Sequence, residues 1–141
     1  MNPLQLVELL KGHKNYIQTH NYPDPDAVAS AYGLQSFLRW HGVDAKICYD
    51  GTVEKLSTKK MFQVFEIDVL TADSIKDMTE EDYIVAVDSQ KYNANLTDLI
   101  GDEVACIDHH PTFFVYHYID TYIQKRSDDD QCTPLHHQSN P

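Results

Sequence analysis

Two short segments of almost uninterrupted apolar residues constrain the fold of this 141-residue chain more than any other feature. Asp82–Asp88 has the centre Tyr-Ile-Val-Ala-Val, and Glu103–Ile107 continues after its first residue as Val-Ala-Cys-Ile. A strand with one solvated face alternates apolar and polar residues, whereas a strand buried on both faces does not. Both segments therefore predict buried strands of a parallel sheet.

The remaining pattern alternates helices with strands. The clearest helix begins at Asp24-Pro25, an aspartate N-cap followed by proline at the first helical position, and its apolar residues recur at helical spacing up to Trp40. This alternation predicts an α/β fold, a doubly wound, mostly parallel sheet with flanking helices. The other predicted elements are helices over Leu4–Lys11 and Val53–Phe65, a helical turn over Asp73–Asp77, a short helical connection over Asn95–Ile100, strands over Tyr16–Thr19, Ala45–Tyr49 and Ile67–Leu70, and an edge strand over Phe113–Tyr122.

Length and composition predict one domain over residues 1–125. Residues 126–141 have almost no apolar content and no periodicity, so we expect a disordered tail there.

No apolar run approaches the roughly 20 residues that span a bilayer. The N-terminus lacks a secretory pattern, and Cys48, Cys106 and Cys132 lack metal-site spacing. We interpret the cysteines as free thiols and expect a cytoplasmic protein that does not bind membranes.

The formal net charge of −11 restricts the partners. An acidic chain repels the phosphate backbone, so we expect no binding to long duplex nucleic acid. A small phosphorylated substrate remains compatible with this charge if metal ions supply positive charge locally. An exposed sheet edge would also allow a homodimer.

Carboxylates and imidazoles follow the three best-defined strands. Because the carboxyl ends of parallel strands meet at one edge of the sheet, we expect these side chains to converge where open α/β sheets bind ligands. Carboxylate and imidazole ligands without thiolates favour Mn²⁺, Mg²⁺, Co²⁺ or Fe²⁺, and the number of ligands suffices for two ions bridged by one aspartate, for which Asp88 is the candidate. The converging residues are His20, Asp24 and Asp26 after the first strand, Asp88 after the second, and Asp108, His109 and His110 after the third.

Five of these residues also have a structural interpretation. Asp24 would cap the helix, and Asp26 would interact with the helix dipole. Asp88 would cap the following connection, while His109 and His110 would be surface residues before a turn at Pro111. Such coincidences in all three segments are improbable together, so the sequence favours a metal site.

The same residues resemble the first three sequence motifs of the DHH phosphoesterase family. His20-x-x-Pro-Asp24-x-Asp26 is similar to the first motif, Asp88 to the second, and Asp108-His-His-Pro111 to the third. The order is that of the family, over roughly residues 1 to 120. The forms of the first and third motifs are most similar to the nanoRNase and phosphoadenosine phosphatase branch.

The resemblance implies a phosphoesterase with two metal ions, usually manganese, on a parallel sheet. Its substrate would be 3′-phosphoadenosine 5′-phosphate or a very short oligonucleotide; an inorganic pyrophosphate or polyphosphate is the alternative. His110 would contact the phosphate or act as a general acid, and Asp108 would orient a histidine. The implied metal ligands are His20, Asp24, Asp26, Asp88 and His109.

The sequence departs from the family after Tyr122. The family's fourth motif, an aspartate on a later strand, has no counterpart, and no second, substrate-binding domain follows. We therefore expect a truncated chain, or a reading frame that slipped near Lys125. A non-catalytic, metal-binding remnant is the alternative to an active enzyme.

Overall fold

A computed structural model describes residues 2–88 and 94–107 and confirms the α/β fold, with a parallel sheet flanked by helices. Within these residues the sheet has five strands in the order β3-β2-β1-β4-β5, and every pair is parallel. The elements are α1 (Pro3–Leu10), β1 (Asn15–Thr19), α2 (Pro25–Trp40), β2 (Lys46–Tyr49), α3 (Leu56–Val64), β3 (Val69–Thr71), a 3₁₀ turn (Ala72–Ser74), β4 (Tyr83–Val87) and β5 (Asp102–Ile107).

The strand order places a topological switch point between β1 and β4. From β1 the chain moves outward through β2 to β3, and it then returns to the other side of β1 as β4 and β5. Connections on the two sides of the switch point diverge from one another. A crevice therefore opens at the carboxyl ends of β1 and β4, which is where sheets of this order bind ligands.

Both faces of the sheet are covered, as the apolar strands require. Alternate strand residues such as Ile17, Ile47 and Val85 pack with the helices into the main core. Their neighbours on the opposite face include Tyr16 and Ile84, and among the described residues these pack against β3 and irregular segments. Burial on both faces explains the uninterrupted apolar centres of β4 and β5, whose central residues are buried whichever way they point.

The two N-terminal helices begin where their capping residues stand. Asn2 forms a capping box with Gln5, and Pro3 occupies the first turn of α1. Asp24 caps α2, whose buried residues recur at helical spacing: Ala27, Val28, Ala31, Gln35 and Leu38. The predicted N-terminus and core face of α2 are confirmed.

The segment Asn95–Ile100 is not the predicted helix. Its backbone groups bond to β1 and to the loop after it instead of to one another. The carbonyl of Asn95 accepts the N–H of Asn21 at 2.6 Å, and the carbonyl of Thr97 accepts Gln18 Nε2 at 2.8 Å. Tertiary hydrogen bonds therefore replaced the local helical ones.

Three further observations bear on the sequence predictions. No helix in the described ranges is long and apolar enough to cross a membrane. Cys48 is a buried free thiol, and burial raises its pKa to about 12. Cys106 is disulfide-bonded, so the interpretation of all three cysteines as free thiols is wrong there. The predicted edge strand Phe113–Tyr122 and the predicted tail at 126–141 lie outside the described residues.

Candidate metal centre

His20 follows β1 directly, at the switch point of the sheet. Its Nδ1 lies 2.8 Å from the carbonyl oxygen of Asn21. A carbonyl only accepts hydrogen bonds, so Nδ1 carries the proton and the neutral ring has its lone pair on Nε2. Nε2 in turn faces two carboxylates, and the ring is only 13 % exposed. His20 is thus held in the tautomer in which Nε2 can bind a metal ion.

Asp24 caps α2 and faces His20 with the same carboxylate. Its Oδ1 accepts the N–H of Ala27 at 2.9 Å and lies 3.7 Å from His20 Nε2. Burial raises the pKa of Asp24, but the hydrogen bond from Ala27, together with attraction to Lys55 and to His20 when its ring is protonated, outweighs burial and leaves the pKa below its usual value. A carboxylate has about four acceptor positions, so capping leaves room for a metal bond.

Asp88 follows β4 and completes the group. Its side chain is almost fully buried, and Oδ2 lies 3.6 Å from His20 Nε2. The backbone N–H donates to the carbonyl of Ile107 at 2.8 Å, and φ is +57°. Aspartate is among the few residues that adopt this left-handed conformation readily. The turn at the strand end therefore presents the carboxylate to the crevice.

The three side chains form a group suited to a divalent cation. His20, Asp24 and Asp88 each offer one ligand atom, and these atoms lie within 4.8 Å of one another. Two carboxylates at that distance repel each other by roughly 3 kcal/mol at an effective dielectric near 20, less where solvent screens Asp24. A bound cation would remove this repulsion, and one imidazole with two carboxylates suits Mn²⁺, Mg²⁺ or Fe²⁺.

The other predicted site residues are not in this group. Asp26 is exposed in the first turn of α2, where a carboxylate also favours the helix dipole. Asp108, His109 and His110 lie outside the described residues. Ile107 pairs with Val87, so β5 ends at the sheet edge where Asp88 stands. The ligand and catalytic roles of these four residues remain predictions.

Three polar residues beside the group were missed by the sequence analysis. Thr97 Oγ1 lies 2.7 Å from Asp50 Oδ2 and 3.0 Å from Asn21 Nδ2. Asp50 directly follows β2. The reasoning that selected Asp88, a carboxylate at the carboxyl end of a parallel strand, therefore applies to Asp50 as well. Nothing local identifies Thr97, which is 76 residues from Asn21 in the chain.

The fold and the group define a parallel α/β domain with a candidate metal site at its switch point. The chain matches the DHH family, N-terminal domain, over residues 14–134, and it belongs to that family. It is also 33 % identical over 95 residues to the uncharacterized protein MJ1633 of Methanocaldococcus jannaschii. That match covers 67 % of this chain and 19 % of the relative, so the chain spans about a fifth of the relative's length.

Proposed function

We propose that this chain carries the metal-binding domain of a phosphoesterase that hydrolyses a small phosphoester. The supporting observation is the convergence of His20 Nε2 with the carboxylates of Asp24 and Asp88 at the switch point of the sheet. Because the chain belongs to the DHH family, we propose that this group of side chains serves phosphoester hydrolysis.

His20, Asp24 and Asp88 would hold a first divalent cation, for which Mn²⁺ is our first choice. Asp26 and His109 would hold a second ion together with Asp88, which would serve both ions. When bound, the ions supply Lewis-acid stabilisation of phosphoryl oxygens and lower the pKa of an attacking water. The buried imidazole matters because its proton on Nδ1 leaves Nε2 available without a competing proton.

The protein's own groups then orient the substrate and move its protons. Water would attack phosphorus and lose a proton to solvent, the bond to the leaving oxygen would break, and His110 would donate a proton to that oxygen. Asp108 orients a neighbouring imidazole. Both roles rest on the family motif, since neither residue is among those described.

A small substrate fits the charge of the molecule. A net charge of −11 disfavours binding to a long phosphate backbone. We therefore propose 3′-phosphoadenosine 5′-phosphate or an oligonucleotide of very few residues, whose few charges the metal site can neutralise by itself.

The test begins with calorimetric Mn²⁺ titration of the chelator-stripped 141-residue chain. Wild type should bind at micromolar affinity or better, and Asp88→Asn should bind at least about 100-fold more weakly. Asp44→Asn is the matched control, because the Asp44 side chain is almost fully exposed and its ion pair with Arg39 is long, at 3.9 Å. A folded wild-type chain that binds no Mn²⁺ would refute the proposal.

Hydrolysis assays then separate enzyme from metal-binding remnant. The substrates are 3′-phosphoadenosine 5′-phosphate, a dinucleotide and pyrophosphate, each with wild type and Asp88→Asn. Release of phosphate from 3′-phosphoadenosine 5′-phosphate or pyrophosphate, or of mononucleotide from the dinucleotide, by wild type alone would support catalysis at this site. Equal rates in the two proteins would exclude it, and metal binding without turnover would favour the non-catalytic alternative.

A further inference from the structure

The orientation of His20 depends on the carbonyl group of Asn21, a residue whose N–H is bonded to a segment outside its loop. His20 Nδ1 donates to the carbonyl of Asn21, and the N–H of the same Asn21 donates to the carbonyl of Asn95 at 2.6 Å. The peptide groups on both sides of the Asn21 Cα are thus engaged. A shift of Asn21 would move the acceptor that determines which ring nitrogen of His20 carries the proton.

The side chain of Asn21 is fixed by Thr97. The backbone N–H of Thr97 can only donate, so the atom it faces at 3.3 Å is Asn21 Oδ1, and this sets the orientation of the amide. Asn21 Nδ2 then donates to Thr97 Oγ1 at 3.0 Å. Two bonds between the same pair of residues hold the amide in one position.

Asp50 orients the Thr97 hydroxyl. A hydroxyl has one proton, and the Thr97 hydroxyl donates it in a hydrogen bond to Asp50 Oδ2, 2.7 Å away. Thr97 Oγ1 is then an acceptor for Asn21. The carbonyl of Asp50 also accepts the N–H of Tyr22 at 3.2 Å, so segments after β1, β2 and β4 are joined at one point.

We propose that Asn21, Thr97 and Asp50 are positioning residues that hold His20 in the Nδ1–H tautomer before a metal ion binds. The inference rests on the proposed function in that it treats His20 Nε2 as a metal ligand. Groups that orient a ligating histidine raise metal affinity because the ring loses no freedom on binding.

A merely structural tether would behave differently. Gln18 already fastens the segment to β1 through its bond to the carbonyl of Thr97 at 2.8 Å. Loss of the Thr97 hydroxyl should therefore leave the fold in place. If the hydroxyl served stability alone, its removal would lower the melting temperature and leave the His20 ring unchanged.

The experiment compares side-chain nitrogen shifts of His20 by NMR in the metal-free, full-length chain at about pH 8. His20→Gln assigns the signal. Thr97→Val removes the hydroxyl, Thr97→Ser retains it, and Asn21→Ala removes the amide but keeps both backbone groups. Thr58→Val is the control, because Thr58 lies on α3 with a buried hydroxyl that has no hydrogen-bond partner among the described residues.

Wild type, Thr97→Ser and Thr58→Val should show one tautomer with the proton on Nδ1. Thr97→Val and Asn21→Ala should show mixed tautomers, and the double variant should be no worse than either, since both disrupt one network. Mn²⁺ affinity should fall about tenfold in each. An unchanged tautomer in the folded Thr97→Val or Asn21→Ala chain would overturn the inference, whether or not wild type binds Mn²⁺; failure of Mn²⁺ binding alone would count against the proposed function.

Discussion

Asp24 performs two tasks that substitution can separate. Its Oδ1 caps α2 through the N–H of Ala27, and the same carboxylate faces His20. Asp24→Asn keeps an oxygen for the cap, and asparagine caps helices about as well as aspartate. Asp24→Ala removes the cap as well as the charge. The capping role and the metal-ligand role of Asp24 therefore predict different results for Asp24→Asn and Asp24→Ala.

Without metal, Asp24→Asn should be within about 1 kcal/mol of wild type in its free energy of unfolding. The variant loses roughly 0.3–1 kcal/mol of charge–dipole interaction at the start of α2. Relief of repulsion between Asp24 and Asp88 offsets that loss, although solvent weakens the repulsion because the Asp24 side chain is 39 % exposed. Asp24→Ala should be about 1 kcal/mol less stable than Asp24→Asn, because its cap is gone.

With Mn²⁺ at about 100 times the wild-type dissociation constant, wild type should gain roughly 2.7 kcal/mol, which raises its melting temperature by about 10 °C. If Asp24 is a ligand and its loss weakens binding about 100-fold, both variants should gain only about 0.4 kcal/mol, a shift of about 1–2 °C. Thermal unfolding with and without Mn²⁺ measures both effects, with Asp44→Asn as the control.

Two outcomes would refute the reasoning. If Asp24→Asn keeps the full Mn²⁺-induced shift, Asp24 is no ligand. If metal-free Asp24→Ala is as stable as Asp24→Asn, the cap contributes nothing.

The lowered pKa of Asp24 adds a pH dependence with a definite sign. A carboxylate whose pKa is lower in the folded state stabilises the fold above its unfolded pKa, near 3.8, and loses this contribution as the pH falls through the folded value. The contribution is absent from Asp24→Asn. Stability curves of metal-free wild type and Asp24→Asn should therefore converge as the pH falls below about 4, and parallel curves would contradict the lowered pKa.

Three further predictions concern residues outside the metal group. Thr58→Val should stabilise the chain by about 1 kcal/mol in urea unfolding, because the Thr58 hydroxyl is buried without a hydrogen-bond partner among the described residues; a loss of stability would show that it has one. Gly51→Ala should cost about 1–3 kcal/mol, since φ is +87° and a Cβ would lie 2.8 Å from the Tyr22 ring. Adding Tyr22→Ala should recover only the steric part, and full recovery would exclude backbone strain. Cys48 should resist iodoacetamide at about pH 8 until the chain unfolds, because burial raises its pKa to about 12; rapid labelling of the native chain, read by peptide mass spectrometry, would refute that burial.

The sequence was sufficient for the local elements and for the sheet type. The cap at Asp24, the spacing along α2 and the apolar centres of β4 and β5 are short-range patterns, because helix capping and burial on two faces act over a few residues. Parallel strands end at one edge, so the sequence also indicated that His20, Asp24 and Asp88 would lie near one another.

Tertiary structure decided what depends on contacts between distant segments. The segment from Asn95 became irregular because its carbonyls accept bonds from β1 and the following loop, which no local pattern specifies. The tautomer of His20 is likewise a tertiary property. The carbonyl that faces Nδ1 belongs to Asn21, whose side chain bonds to Thr97, 76 residues away in the chain, and only the folded chain brings the two together.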